Sequence, residues 1–341
     1  MERPSPDATP AALADATAAS ERLLPEPALY GGDAHGLICG WWCPSGAPAQ
    51  PLAAAAQALP WLRGEAAREE GYVWLHFNLS HAGALPWLRA HAGLSDDFFE
   101  ALDGGSRATR LERDGDALFG VINDVTFDFG FEASDMATLW VSAQQRLVVS
   151  ARRQPLRSID RLRTEFKGGS VPATAPSLLE QLLRDQADEL QRIVRQANER
   201  IDDIEDAMLA GQVRAHASEL ARLRRLLVRL QRLLAPEPSA LQRLLGHPPA
   251  WVTADDVEQL RGASEEFAWV LRDIGTLQER AKLMQDEAAS RMAEHTGRSL
   301  FTLTMVTVLA LPINLTAGLL GMNVGGIPLA QHAHGFWLMV A

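Results

Sequence analysis

The chain has 341 residues, a formal net charge of −11 and two cysteines, Cys39 and Cys43. That length allows two or three domains, the acidity excludes a nucleic-acid binder working through a basic surface, and two thiols exclude a disulfide framework. There is no phosphate-binding Gly-x-x-x-x-Gly-Lys loop, Gly-x-Ser-x-Gly, His-Glu-x-x-His or dinucleotide fingerprint, so neither an ATP-driven pump nor an enzyme is expected.

Residues 1–34 form an Ala/Pro-rich leader with no signal-peptide pattern, expected to be disordered. Residues 35–166 are expected to form an α/β domain. Its strands are "GLICGWWC", "GYVWLHFNLS", "DALFGVINDVTF" and "ATLWVSAQQRLVVSARR", short apolar or alternating runs between turn residues. "LPWLRAHAGLSDDFFEALDGG" reads as helices, with Ser95 as an N-cap and Gly104–Gly105 as a stop. Cys39 and Cys43 share one side of a strand with Cα atoms about 13 Å apart, too far for one metal ion without a bend. Buried thiols are expected there, and His76, inside "VWLHFNL", is expected in the core.

"KGGSVPATAP" (167–176) reads as a linker. Beyond it, in 177–235, the spacing predicts a helical hairpin. Leu178, Leu182, Leu190, Ile193, Ala197, Ile201, Ile204 and Met208 form one stripe. Gly211 breaks the run, and Leu220, Leu223, Leu227, Leu230 and Leu234 form the second stripe, ended by "APEP". The arms differ in charge: 180–206 carries nine acids and four arginines, whereas 212–234 carries six arginines and one acid. Two readings follow: solvated faces that attract one another, or an acidic surface that gathers cations.

A stalk helix is expected over 253–298, capped by Thr253 with Asp255 and Asp256 in the first turn. Its near-heptad apolar residues, Val257, Leu260, Phe267, Leu271, Ile274, Ala281, Ala288 and Met292, form a narrow stripe that points to self-association. From Ser299 to Ala341 there is no Asp, Glu, Lys or Arg. The 22 residues 299–320 would span about 33 Å as a helix, enough to cross a bilayer core. Arg291 and Arg298 precede this run and no basic residue follows it, which places the N-terminal part in the cytoplasm. If the helix runs unbroken from 254 to 320 it is about 100 Å long and needs support from other helices. One helix encloses no conduit, which also argues for several copies.

The segment "LPINLTAGLLGMNVGGIP" (311–328) places two amides, Asn314 and Asn323, at the end of the longest apolar run. An amide at mid-membrane is costly unless it faces a partner or a pore. Steps at helical spacing from Asn314 reach Leu311, Thr307, Thr304 or Leu303, and Leu300, the candidate pore lining. The alternative for Thr302 and Thr304 is a hydroxyl bonded to its own helix. Pro312 is expected to loosen the helix. His332 and His334 follow in a loop without a carboxylate. Imidazole suits zinc better than a hard, oxygen-seeking ion such as magnesium.

The long helix ending in "GMN", with "GMNVGGIP" (321–328), "YVWLHFNLSHAGALPWLRAHAGLSDDFFEALDG", "SRATRLERDGDALFGVIND" and "TLWVSAQQRLVVSARR" upstream, resembles the CorA superfamily of metal-ion transporters and its zinc-transporter branch ZntB. The resemblance implies a funnel-shaped homopentamer in the cell inner membrane, multi-pass, with a cytoplasmic α/β domain, a helical stalk and C-terminal transmembrane helices. It implies that Gly321, Met322 and Asn323 form the selectivity motif at the periplasmic mouth, within a loop spanning 321–334. No tightly bound cofactor is implied. The expected cargo is Zn2+, with Mg2+, Co2+, Ni2+ and Cd2+ as the other candidate ions and protons as a coupling ion. The expected partners are further copies of the chain and the lipid bilayer, not nucleic acid. A CorA-type magnesium/cobalt channel and a membrane-anchored scaffold are the competing readings. Family members have a second membrane helix and a short tail; "GFWLMVA" (335–341) begins such a helix, so the chain is expected to be truncated at Ala341.

Overall fold

The computed structural model describes residues 33–66, 70–105, 108–132, 135–322 and 332–340. The leader expected over 1–34 lies, up to residue 32, outside the described residues.

Strands β1 (Leu37–Pro44), β2 (Gln50–Leu52), β3 (Gly71–Asn78), β4 (Arg110–Asp114), β5 (Ala117–Val125), β6 (Met136–Gln144) and β7 (Leu147–Arg152) form one sheet in the order β2-β1-β3-β7-β6-β5-β4. Only β3 and β7 pair in parallel. Helices cover both faces, so the central strands are apolar on both sides rather than alternating. On one face Val73, Leu75 and Phe77 of β3 pack with α1 (Ala84–His91) and α2 (Asp96–Asp103). On the other, Tyr72 and Trp74 pack with α3 (Arg157–Lys167) and with the start of α4 (Ala175–Leu209). Ser95 caps α2 by accepting the Phe98 amide at 3.3 Å, and Gly105 takes the left-handed conformation after it (φ 58°).

Two strands escaped the sequence reading, β2 ("QPL") and β4 ("RLERD"). They are the two edges of the sheet, short and polar, as edges that avoid pairing with other chains tend to be. Helix α3 was also missed, although Ile159, Leu162 and Phe166 give it a buried stripe.

The hairpin consists of α4 and α5 (Val213–Leu234), joined at Gly211 (φ 87°). Every residue of the two expected stripes is buried. The boundaries need correction. The linker is shorter than 167–176: Thr174 and Ser177 form a capping box, and Pro176 lies in the first turn of α4, where no amide hydrogen is needed. "APEP" does not stop the helical path either. Pro236 opens a further helix, α6 (Pro236–Leu245), directly from the end of α5.

Helix α7 (Ala254–Leu320) is continuous over 67 residues and is capped by Thr253, which accepts the Asp256 amide at 3.2 Å. Leu260, Phe267, Ile274, Ala281 and Ala288 are buried against the chain's own α4 and α5 or the sheet domain. The narrow Ala281/Ala288 stripe is therefore consumed within one copy and is not the face left for self-association. Trp269 (63% exposed) and Leu283 (61%) lie on the outward face instead.

Among the described residues the charged arms do not pair with each other. The α4 acids go to α3 and α7: Arg161 meets Asp185 at 3.1 Å and Asp188 at 2.6 Å, and Arg280 meets Asp202 at 2.6 Å as well as Glu205. Where sheet and helices join, a polar cluster lies buried. Ser158 donates to Asp124, Gln186 donates to the Asn123 carbonyl at 2.6 Å and to Glu237 at 3.4 Å, and Glu189 is 3.9 Å from Arg157. Burial pushes Asp124 up to about 6, despite the Ser158 hydrogen bond, and Asp185 up to about 7. Burial, and then the nearby Asp124 charge, raise Glu237 well above the usual carboxylate range.

The sign follows from linkage. In the unfolded chain these acids release their protons near pH 4, while the folded chain keeps them. Stability therefore falls as pH rises above about 4; the contributions of Asp124 and Asp185 level off near pH 7, and that of Glu237 once it too has ionised. For Asp124 the loss is roughly 3 kcal/mol over its window. Thermal melts of the purified protein between pH 5 and 8 are expected to show this fall, with a shallower slope in Glu237→Gln. Equal slopes in the two proteins would remove Glu237 as a contributor.

Candidate functional site

The last third of α7 carries the candidate pathway. Among the described residues α7 is the one helix long and apolar enough to cross a membrane. From Leu300 onward its side chains are largely exposed among the described residues: Leu300, Leu303 and Leu311 are 59%, 63% and 65% exposed. At 100° per residue, Leu300, Leu303, Thr304, Thr307, Leu311, Asn314, Gly318 and Gly321 fall within an arc of about 100°. The structure thus brings the predicted pore residues onto one face and leaves that face open.

The Thr hydroxyls on this helix turn inward along it. Thr302, Thr304 and Thr307 donate to the carbonyls of Arg298, Leu300 and Leu303 at 2.9, 2.8 and 2.8 Å. The self-bonded alternative is therefore the observed one. It does not silence these groups, since a hydroxyl that donates its hydrogen still has oxygen lone pairs to offer. Thr304 and Thr307 on the arc present acceptors only, the polarity a hydrated cation prefers.

Helix α7 runs through Pro312 without a break. A proline has no amide hydrogen for the carbonyl four residues earlier, at Val308. One turn later, Thr316 Oγ1 donates to the Pro312 and Ile313 carbonyls, both at 2.9 Å. The helix ends at Gly321, whose amide donates to Ala317 O at 2.9 Å. A Cβ at Gly321 would sit 3.0 Å from that same oxygen, so the position favours glycine by space rather than by backbone angle. Met322 is half exposed. Asn323 lies outside the described residues.

His332 and His334 are exposed, with ring centroids 6.3 Å apart, just before the short helix α8 (Gly335–Val340). The His334 amide donates to His332 Nδ1 at 3.3 Å. That occupies the Nδ1 lone pair, so in the neutral ring the hydrogen sits on Nε2. Among the described residues no group of three or more His, Cys, Asp or Glu is placed to hold a metal ion.

The candidates in the sheet domain are structural. Cys39 and Cys43 lie opposite His76 and Tyr72 in the β1–β3 register, and burial pushes both thiols up to about 12. They stay protonated and unreactive near neutral pH. His76 is fully buried, held neutral first by desolvation and then by the Arg152 charge, with Nδ1 2.8 Å from Ser150 Oγ.

Against known proteins, the chain is 28% identical over 271 residues to the divalent cation transporter CmaX of Pseudomonas aeruginosa, covering 79% of this chain and 82% of that one. It is 27% identical over 270 residues to the zinc transport protein ZntB of Yersinia enterocolitica, with the same coverages. The full-length CmaX structure superposes with a TM-score of 0.71 at 28% identity, over 90% of this chain and 93% of that one. Two structures under 25% identity share the fold: the CorA magnesium transporter of Methanocaldococcus jannaschii (TM-score 0.70, 21% identity, 88% of this chain and 92% of that one) and the ZntB cytoplasmic domain of Vibrio parahaemolyticus (0.62, 17%, 76% and 99%). The CorA-like Mg2+ transporter protein family model matches residues 69–341, and the chain belongs to that family.

Proposed function

We propose that this protein carries divalent metal cations, zinc foremost, across the inner membrane through a pore lined by α7 from five copies. The observation that carries the reading is the face from Leu300 to Gly321: an exposed arc on a membrane-length helix, holding Asn314 and two threonines. A simple anchor has no use for a mid-membrane amide. The 43 residues from Ser299 to Ala341 bear no formal charge, so the pathway holds an ion through neutral oxygens. A ring of five Asn323 amides, helped by the Gly321 and Met322 carbonyls, accepts hydrogen bonds from an ion's water shell without gripping the ion. Leu300 and Leu303 form the narrow apolar step near the cytoplasmic end. Arg291 and Arg298 keep the N-terminal domain in the cytoplasm, and Gly335–Val340 opens the second membrane helix.

Zinc is favoured by His332 and His334 at the mouth, in a loop with no carboxylate, and by the relatives named for zinc transport. A histidine ring nitrogen can hold either a zinc ion or a proton, so the same pair also fits coupling to protons. The magnesium reading rests on the family description and on the CorA neighbour.

Full-length protein reconstituted in liposomes is expected to take up zinc faster under an inward proton gradient and to pass little magnesium. Asn323→Ala is expected to lower flux by at least about tenfold. Magnesium flux indifferent to the gradient would move the protein to the magnesium reading, and no flux from an intact oligomer would leave the scaffold.

Cysteine scanning checks the lining, because Cys39 and Cys43 contribute little background. Thr307→Cys and Asn314→Cys are expected to react with a small aqueous thiol reagent at least about tenfold faster than Leu309→Cys on the opposite side of the helix. Equal rates would discard the assigned face.

A further inference from the structure

The two flanks of the stalk carry opposite charge, at the same height. On one flank, α5 presents Arg222, Arg225, Arg229 and Arg232, and among the described residues none of the four has an ion-pair partner. Arg224, Arg225, Arg229 and Arg232 line a groove with the half-exposed Val228 and with Gln285 of α7, and the Arg229 Nε is buried without a hydrogen-bond partner. On the other flank, α4 presents Glu199, Asp203 and Asp206, all exposed and outside any ion pair, beside the Asp202 and Glu205 that Arg280 neutralises.

Their heights can be read along α7. Arg224 donates to Gln285 at 2.8 Å, and Gln278 donates to the Leu227 carbonyl at 2.7 Å. Arg280 meets Asn198 at 3.1 Å and Arg291 meets the Met208 carbonyl at 3.1 Å. The arginines of one flank thus lie beside positions near 278–285 of α7, and the acids of the other beside positions near 280–291.

A ring of identical copies joins one flank of each subunit to the opposite flank of the next. Rotation about an axis nearly parallel to α7 leaves heights unchanged, so the groove of one copy arrives opposite the acids of its neighbour. We infer that Arg225, Arg229 and Arg232 of α5 dock onto Glu199, Asp203 and Asp206 of α4 in a second copy, forming a charged belt that closes the ring below the membrane. This belt rests on the ring of copies proposed above. Arginine suits the role because its planar fork meets a carboxylate with two hydrogen bonds. Such pairs set register and partner more than raw affinity. The belt also gives the hairpin's unequal arms a purpose, since among the described residues they do not pair within one copy.

The test uses full-length protein in detergent, with the ring population read by native mass spectrometry against protein concentration. Arg225→Glu with Arg229→Glu is expected to raise the concentration for half-assembly by about tenfold at low salt. Adding Asp203→Arg and Asp206→Arg to the same chain is expected to restore it. Asp203→Cys together with Arg229→Cys is expected to cross-link copies under mild oxidation, giving a ladder that ends at the closed ring. Reversals without effect and no ladder, from a protein that still forms rings, would overturn the belt and leave the transporter reading standing. Loss of rings that the acid reversal does not rescue would also overturn it, by assigning the groove to another anionic partner. A wild-type protein that forms no ring would remove the transporter reading and the belt together.

Discussion

The structure depends on keeping one 67-residue helix straight. Most of a protein helix's stability comes from packing rather than from its own hydrogen bonds, and the apolar residues of this one need a surface to lie against. The chain solves this in two stages with two different solvents. Up to Ala288, α7 lies in the trough between α4 and α5, where Phe267, Ile274 and Ala281 meet the leucines of both arms. Beyond Leu300 its apolar side chains face outward on every side and no charge interrupts them. Between these stretches lie about ten polar or small residues, including Arg291 and Arg298, that belong to neither environment. The hairpin exists to make the first stretch rigid before the second begins.

The sheet domain is tied to that rod through a join that is unusually polar for its depth. Asp124, Gln186, Glu189 and Glu237 come from a strand and two helices and meet out of solvent. The Ser158–Asp124, Gln186–Asn123 and Gln186–Glu237 hydrogen bonds link elements distant in sequence, so the join fixes an angle as well as an area. Apolar packing of equal size would tolerate sliding, and a network of donors and acceptors tolerates much less.

Much of this was legible in the residues. The stripes of α4, α5 and α7, the Thr253 and Ser95 caps, the buried His76 and the four apolar strand regions follow from period and capping chemistry, which act locally. The misses share another cause. Strands β2 and β4 are strands only because a neighbour offers them hydrogen bonds, and "RLERD" alone has no apolar period. Pro236 looked like a stop because proline in isolation does not reveal whether it ends one helix or opens the next. The Ala281/Ala288 stripe was assigned to the wrong partner, since periodicity shows that a face is buried and says nothing of what buries it. For the pathway, the sequence located the polar arc, while the direction of the threonine hydroxyls needed coordinates.

An unbroken rod also sets a mechanical scale. From Ala254, where the rod is anchored beside the sheet, to Leu300 the distance is about 70 Å. A rotation of one degree at the base moves Leu300 by about 1.2 Å, close to the radius of a water molecule. Small adjustments at the sheet-domain end of the rod are thus delivered, enlarged, to the far end of the helix. The sheet domain and hairpin are the base of a long lever whose tip is the apolar end of α7.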